Sequence, residues 1–290
     1  MRDTLQRFLF ERHPIRGSRV HLDATWQAVL ERHDYPEPVK QLLGEMMSAA
    51  VLLTTTLKVQ GRMIMQIQGT GPLKLLVVEC TNNLTLRAVA KCDDDIQVGS
   101  LSELLGDGQL VITLEAEHQK ERYQSIVELI GNSLAEALAQ YLNQSDQLAT
   151  YLWLAADQQQ SGGLLIQRLP ETGMEKDEDA WNRVCQLSAT VSAQELLQLS
   201  HEELLHRLYH EEDVRVFEAE PVCFRCSCSR DRVANMFMTL GYDEVKDMLK
   251  EQGKLEVACE FCYHKYEFDE VDVEQLFASD MPRPPDSHLH

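Results

Sequence analysis

Hydrophobic residues in the first 170 positions follow helical spacing in some stretches and alternate with polar residues in others. Helical spacing spans residues 39–57, and the apolar run at residues 46–53 predicts a buried helix. Apolar side chains then occupy every second position over residues 63–67, which predicts a strand. Residues 69–72 predict the turn into a second strand at residues 73–78.

The rest of this region also mixes the two patterns. A short helix is predicted at residues 28–30 and a longer one at residues 134–142. Further strands are predicted at residues 84–90, 110–116, 123–129, 148–154 and 164–169. This mixture predicts an α+β fold, with a mixed α/β core domain at the N-terminal end.

The chain becomes strongly acidic after this region. Residues 171–220 hold 13 acidic and 4 basic side chains. Two capping boxes, Ser192 with Glu195 and Ser200 with Glu203, predict helix starts, and leucines follow each of them. Such amphipathic helices are too short to persist alone, so they need a surface to pack on. The segment is predicted to be either an ordinary helical connector or a conditional element that folds only while its neighbours hold it.

Charge and overall composition narrow the functional classes. The apolar fraction of 44% and the charged fraction of 26% over 290 residues are typical of a soluble globular protein. No apolar run approaches the roughly 18 residues of a membrane helix. The net charge of −20 opposes binding to nucleic acid and to anionic membranes. The sequence has no secretory signal, phosphate-binding loop or dinucleotide fingerprint, which predicts a cytoplasmic protein that is not an ATPase.

Five of the eight cysteines lie in the last 70 residues, at positions 223, 226, 228, 259 and 262. Thiols stay reduced in the cytosol, so clustered cysteines there indicate metal or redox chemistry. Four thiolates in two close pairs satisfy the tetrahedral preference of Zn²⁺, and closed sites of this kind are most often structural. The spacing allows two ligand sets, because either Cys223 or Cys228 can complete the site. Cys226 and Cys228 face the same side of an extended strand, which favours Cys228.

The segment around these cysteines is predicted to be a small zinc module. Strands at residues 254–258 and 266–268 place the second cysteine pair in a hairpin knuckle. Two short helices are predicted between the pairs, at residues 232–240 and 244–249, and a loose tail at residues 281–290. A module of this size has little core of its own, so a metal would supply its folding energy.

Several further motifs are spread over nearly the whole chain. They are residues 205–212, 224–230 and 259–262 at the C-terminal end, and residues 16–17, 33–36, 57–58, 68–72 and 162–167 at the N-terminal end. Together with the four-cysteine spacing, they resemble the redox-regulated 33 kDa heat-shock chaperone family. The chain departs from the family pattern at Thr70, where Asp is usual, and at Ala88 and Ser125, where Gly is common. These departures concern local turn geometry.

The resemblance implies a protein of three parts. They are an N-terminal core domain at residues 1–172 for client binding and dimerisation, a metastable helical linker at residues 173–220, and a zinc-binding redox-switch domain at residues 221–290. The resemblance also implies one zinc ion in the reduced form. Its ligands would be Cys226, Cys228, Cys259 and Cys262, and Cys223 is left unassigned.

By the same resemblance the protein is an ATP-independent holdase and not an enzyme. It would bind unfolded or partly folded client proteins under oxidative stress. Oxidation would form the disulfides Cys226–Cys228 and Cys259–Cys262, expel zinc and convert an inactive monomer into an active homodimer. Loss of the metal is expected to unfold the module, melt the acidic helices and uncover apolar surface on the N-terminal domain. On the residues alone, a constitutive zinc-ribbon adaptor that binds a fixed protein partner would be the first choice.

Overall fold

The computed structural model describes residues 3–55, 60–117, 122–145, 148–170, 177 and 179–278. The chain forms two compact units, Met1–Arg225 and Cys226–His290. Helices and strands occur in both units, so the predicted α+β fold is confirmed. The motif at residues 57–58, the first part of the predicted linker at residues 173–176 and the predicted tail at residues 281–290 lie outside the described residues.

The described strands of the first unit form two sheets. In chain order they are β1 (Thr4–Phe10), β2 (Ile15–Leu22), β3 (Gly61–Gln68), β4 (Leu73–Thr81), β5 (Thr85–Cys92), β6 (Gln109–Ala116), β7 (Arg122–Glu128), β8 (Thr150–Ala156), β9 (Ser161–Arg168), β10 (Val214–Val216), β11 (Glu220–Pro221) and β12 (Cys223–Phe224). The first sheet has the order β10-β1-β2-β9-β8 and is antiparallel, with β11 also paired to β1. The second sheet has the order β12-β5-β4-β3-β6-β7, in which β12 runs parallel to β5 and the other pairs are antiparallel.

A long buried helix fills the space between the two sheets. The described helices of the first unit are α1 (Ala24–Leu30), α2 (Glu37–Thr54), α3 (Leu101–Leu105), α4 (Leu134–Ser145), α5 (Ala180–Ala189), α6 (Ala193–Gln198) and α7 (His201–Tyr209). Helix α2 contacts β2, β8 and β9 of the first sheet and β3, β4 and β5 of the second. Its residues 46–53 are at most 2% exposed, which confirms the buried helix predicted from the apolar run.

Strands β1 and β2 were not predicted, and the burial of β2 explains why its pattern was missed. In β2 every residue from Gly17 to Leu22 is buried, including Ser18 and Arg19. A strand that is covered on both faces lacks the alternation of apolar and polar residues that identifies a half-buried strand. Gly17 also permits a close approach, because a Cβ added there would lie 2.1 Å from the ring of Phe8, its partner in β1.

The acidic segment packs on the first sheet. Ser192 and Ser200 are the N-caps of helices α6 and α7, and both predicted capping boxes are confirmed by hydrogen bonds in both directions. The buried side chains of α5, α6 and α7 form one apolar cluster with side chains of β1, β2, β8 and β9. Strands β10 and β11 then pair with β1. The surface that these short helices need is therefore the first sheet.

The second unit is a small module with its own core. Its described elements are α8 (Arg230–Leu240), α9 (Tyr242–Gln252), β13 (Leu255–Ala258), β14 (Lys265–Phe268) and α10 (Glu270–Ala278). Strands β13 and β14 pair antiparallel, so the predicted hairpin is confirmed. Helix α10 was not predicted. Among the described residues of this unit, the buried core consists of Phe237, Val245, Leu249, Leu255, Phe268 and Val273. Six side chains make a small core for a module of this length, which leaves its folding dependent on a further source of stability.

Candidate metal centre

The first cysteine pair, at positions 226 and 228, is held directly before helix α8. Ser229 caps this helix by accepting a hydrogen bond from a backbone N–H of its first turn. Arg230 then pairs with Asp272 of α10 at 2.7 Å and lies over the Phe268 ring of β14, 4.1 Å from its centroid. These contacts hold the start of α8 against the hairpin and α10.

The second cysteine pair lies in the turn between β13 and β14. The Cys259 backbone N–H donates to the His264 carbonyl at 2.9 Å, and the Tyr263 N–H donates to the Cys259 carbonyl at 2.8 Å. Tyr263 has a φ of 57°, in the left-handed region, which closes the turn. The hydrogen bonds close the knuckle around Cys259 and Cys262.

The two arms bring four sulfur atoms into one cluster. The Sγ atoms of Cys226 and Cys259 are 3.6 Å apart, and those of Cys228 and Cys262 are 3.4 Å apart. All four Sγ atoms lie within 4.8 Å of one another. A tetrahedron with metal–sulfur bonds of 2.3 Å has edges of about 3.8 Å. The cluster could therefore hold one metal ion, and within the described residues it is the one such group of three or more candidate ligands.

The electrostatics of the cluster also fit a metal. Burial raises the pKa of the Cys259 thiol, and the neighbouring Cys226 raises it further. Burial likewise raises the pKa of the Cys262 thiol, with a contribution from Cys228. Four thiolates cannot share so small a space without a compensating positive charge. A divalent ion that prefers sulfur supplies that charge, so the donor set suits such an ion.

Tyr266 is a supporting residue that the sequence did not single out. It lies on β14, and its hydroxyl donates a hydrogen bond to the Cys228 Sγ at 3.1 Å. This contact is the largest cause that raises the pKa of Tyr266 to about 12. The strand prediction over residues 266–268 was the only sequence signal near it, and a strand pattern does not reveal which sulfur a tyrosine reaches.

We expect Tyr266→Phe to weaken metal binding without removing it. Hydrogen bonds to metal ligands commonly contribute 10- to 100-fold in metal affinity, and the variant loses the O–H that supports Cys228. Competition with a chromogenic chelator would measure the affinity. Tyr263→Phe is the matched control, because this tyrosine lies in the same knuckle and is 52% exposed. Equal affinities for the two variants would contradict a supporting role for Tyr266.

The other cysteines lie elsewhere in the fold. Cys223 is exposed in β12 of the first unit, where its backbone N–H donates to the Leu84 carbonyl at 3.1 Å. Cys80 is fully buried, and burial raises its pKa to about 12. Cys92 and Cys185 are partly buried, and burial raises the pKa of each. Raised pKa values leave few thiolates at neutral pH, so these three thiols are poor nucleophiles.

The fold and the site define an α+β protein with a thiol-rich C-terminal module. Among the described helices, none has the length and apolar character needed to span a membrane. A family model described as Hsp33 protein matches residues 3–269. The chain therefore belongs to the Hsp33 family, which confirms the resemblance seen in the sequence.

Relatives and a solved structure agree with this assignment. The 33 kDa chaperonin of Nitrosococcus oceani is 50% identical over 289 residues, covering 100% of this chain and 99% of that protein. That of Methylobacillus flagellatus is 46% identical over 289 residues and 99% of each chain. The crystal structure of the 33 kDa chaperonin from Thermotoga maritima superposes with a TM-score of 0.83 at 23% identity, covering 96% of this chain and 100% of that chain, which shows a shared fold.

Proposed function

We propose that this protein is a redox-regulated, ATP-independent holdase that binds unfolding proteins and prevents their aggregation under oxidative stress. The observation that carries the proposal is the cluster of four thiols that forms the centre of a small module. Membership of a family of chaperones supports the class of function, and the contacts of the acidic segment support the mechanism.

Three short helices cover an apolar surface that could bind clients. Phe8, Phe10, Leu164 and Ile166 of the first sheet are at most 1% exposed beneath α5, α6 and α7. Tyr209 of α7 packs on both phenylalanines, with ring centroids 5.9 Å and 5.1 Å away. Each large apolar side chain that loses its cover exposes surface worth about 1.5–3 kcal/mol of burial. Such a patch would bind the apolar segments of an unfolding protein.

The covering helices are suited to reversible release. They contain 10, 6 and 9 residues, whereas isolated helices need roughly 12–15 residues to be even marginally stable in water. Their stability therefore comes from packing on the sheet. Release of this segment would expose apolar surface. Because the segment is acidic, its negative charge would favour the solubility of the protein in that state.

The cluster would bind zinc in the reduced form through Cys226, Cys228, Cys259 and Cys262. A bound zinc ion would keep these sulfur atoms as thiolates and supply folding energy, about 10–16 kcal/mol in zinc-finger peptides. In oxidation by peroxide, each pair of thiolates gives up two electrons, and the peroxide takes up these electrons together with two protons from solvent. One S–S bond forms, the O–O bond breaks and two water molecules are released. The four metal donors are thereby lost.

Two disulfides would not replace that folding energy. The Cys226–Cys228 and Cys259–Cys262 pairs close very short loops, and the stabilisation of a folded chain by a disulfide grows with loop length. The module would then unfold. Strands β11 and β12 directly precede the module in the chain, so unfolding of the module would leave them without a fixed C-terminal end. We expect these strands to detach from the sheets, followed by β10 and the helices of the linker at residues 173–220. We further expect the oxidised form to be a homodimer and the reduced form a monomer.

The test compares the reduced, metal-loaded protein with protein treated with peroxide at mildly raised temperature. Light scattering would follow the aggregation of a chemically denatured client, and metal release would be measured in the same samples. We expect suppression of aggregation by the oxidised form alone. Equal activity in both forms would contradict the switch. Metal that resists peroxide, with no binding of unfolded clients, would indicate a constitutive adaptor instead.

A further inference from the structure

A positively charged side chain is buried where the acidic helices meet the first sheet. Arg19 of β2 is 0% exposed, and its Nη2 group donates to the backbone carbonyls of Leu196, at 3.1 Å, and Leu199. Leu199 is the C-cap of α6, so the guanidinium occupies the negative end of that helix. Among the described residues, the Nε and Nη1 atoms of Arg19 have no hydrogen-bond partner.

Two histidines lie in the same contact. His21 of β2 reaches the Gln160 side-chain oxygen at 2.9 Å and the Leu197 carbonyl at 3.1 Å through its Nε2 atom. His201, the first residue of α7, reaches the Thr4 hydroxyl of β1 at 2.8 Å through its own Nε2 atom. In the part of the chain that the structure describes, neither Nδ1 atom has a hydrogen-bond partner. A second proton on the His201 ring would therefore be buried without an acceptor.

The charges around His201 are mostly positive. From β2 it faces Arg19 and His21, whose charges both oppose its protonation. On β1 its partner is the neutral Thr4 hydroxyl. A backbone carbonyl of α6 accepts a hydrogen bond from Arg19, and the neutral Gln160, in the turn before β9, contacts His21. The acidic side chain that acts on Arg19 is Glu203, whose carboxylate is already bound to the backbone of Ser200. It offsets the positive charge only in part.

We infer that Arg19, His21 and His201 position α6 and α7 on the first sheet, and that protonation of His201 in mild acid shifts these helices toward release without any oxidant. Arg19 and His21 hold the C-terminal turn of α6 through its carbonyls, and His201 holds the first turn of α7. A second positive charge beside the buried guanidinium opposes both sets of contacts. The effect on activity rests on the proposed function, whereas the release itself does not.

The direction of the pH effect follows from linkage. Burial, and then the charges of Arg19 and His21, lower the pKa of His201 to about 3 while α7 is packed on the sheet. A released helix returns this histidine to an ordinary pKa of about 6.5. The contribution of neutral His201 to the free energy of helix packing is therefore complete above pH 6.5, and it decreases as the pH falls toward 3. Between pH 7.5 and pH 5.5 the packing equilibrium weakens about tenfold.

The test measures backbone amide exchange of α6 and α7 in the full-length, reduced, metal-loaded protein at pH 7.5 and pH 5.5. Protection factors correct for the chemical exchange rate at each pH, and bound metal is measured at both. We expect the parent protein to lose about tenfold in protection and His201→Gln to lose less than twofold. His206→Gln is the matched control. It changes an exposed histidine of the same helix and should keep the tenfold loss.

Two results would overturn the inference. One is an equal loss of protection in the parent and in His201→Gln, and the other is no loss in the parent. Release of α6 and α7 at pH 5.5 with no holdase activity would support the pH effect on helix packing and contradict the proposed function. The two ideas can therefore fail separately.

Discussion

Cys228→Ser is expected to abolish metal binding and to unfold the second unit, while the core helix α2 of the first unit stays folded. A serine oxygen is a poor replacement for a thiolate on a sulfur-preferring ion, and three sulfur atoms leave the tetrahedron incomplete. The module would lose folding energy of about 10–16 kcal/mol, which six buried side chains cannot replace. Metal analysis and amide exchange of α8, α9 and α10 would measure the two effects.

Cys223→Ser is the matched control for this experiment. Cys223 is the alternative ligand that the cysteine spacing allows, but it lies in β12 of the first unit. We expect this variant to bind one metal ion per chain and to keep the second unit folded. Loss of metal in Cys223→Ser, together with retention in Cys228→Ser, would overturn the assignment of the site.

Leu204→Ala is expected to make the reduced, metal-loaded protein an active holdase. Leu204 of α7 is 0% exposed in the apolar cluster between the helices and the first sheet. Truncation of a buried leucine costs about 2–5 kcal/mol, through lost burial and the cavity left behind. A helix of nine residues has no stability of its own to offset this loss, so α7 would leave the sheet. Suppression of client aggregation without peroxide would measure the result.

Glu202→Ala separates this effect from a general weakening of the helix. Glu202 lies on the same helix but is exposed, so its replacement should leave the reduced protein inactive. Amide exchange of the core helix α2 should stay slow in both variants, which would show that the core of the first unit remains folded. An inactive Leu204→Ala protein in which α7 has left the sheet would contradict the proposed client surface.

Features set by neighbouring residues were predictable from the sequence. The apolar run at residues 46–53 indicates a buried helix, because no polar face interrupts it and helical spacing continues on both sides of it. The capping boxes at Ser192 and Ser200 join residues three positions apart, so the pattern contains both partners. The strands of the second sheet alternate because one face is buried more deeply than the other.

Other features depend on partners that are far away in the chain. Strand β2 is buried on both faces because α2 and the acidic helices cover it, and neither cover is visible in its own residues. Arg19 would ordinarily be placed on the surface, and its burial follows from carbonyls of α6 that lie 177 and 180 positions away. The hydrogen bond from the Tyr266 hydroxyl to the Cys228 sulfur joins residues that are 38 positions apart in the chain. The extent of the functional linker, residues 173–220, stays a prediction.

The sequence alone determined the kind of chemistry and the local structure, because cysteine spacing, periodicity and helix caps are properties of adjacent residues. It left two ligand sets possible, since Cys223 and Cys228 have similar spacing from Cys226. Tertiary structure decided which four sulfur atoms lie together, what the acidic helices cover and which charged groups are buried beneath them. These features depend on how segments that are distant in the chain pack together, because the shape and charge of one segment determine which surface of another is buried.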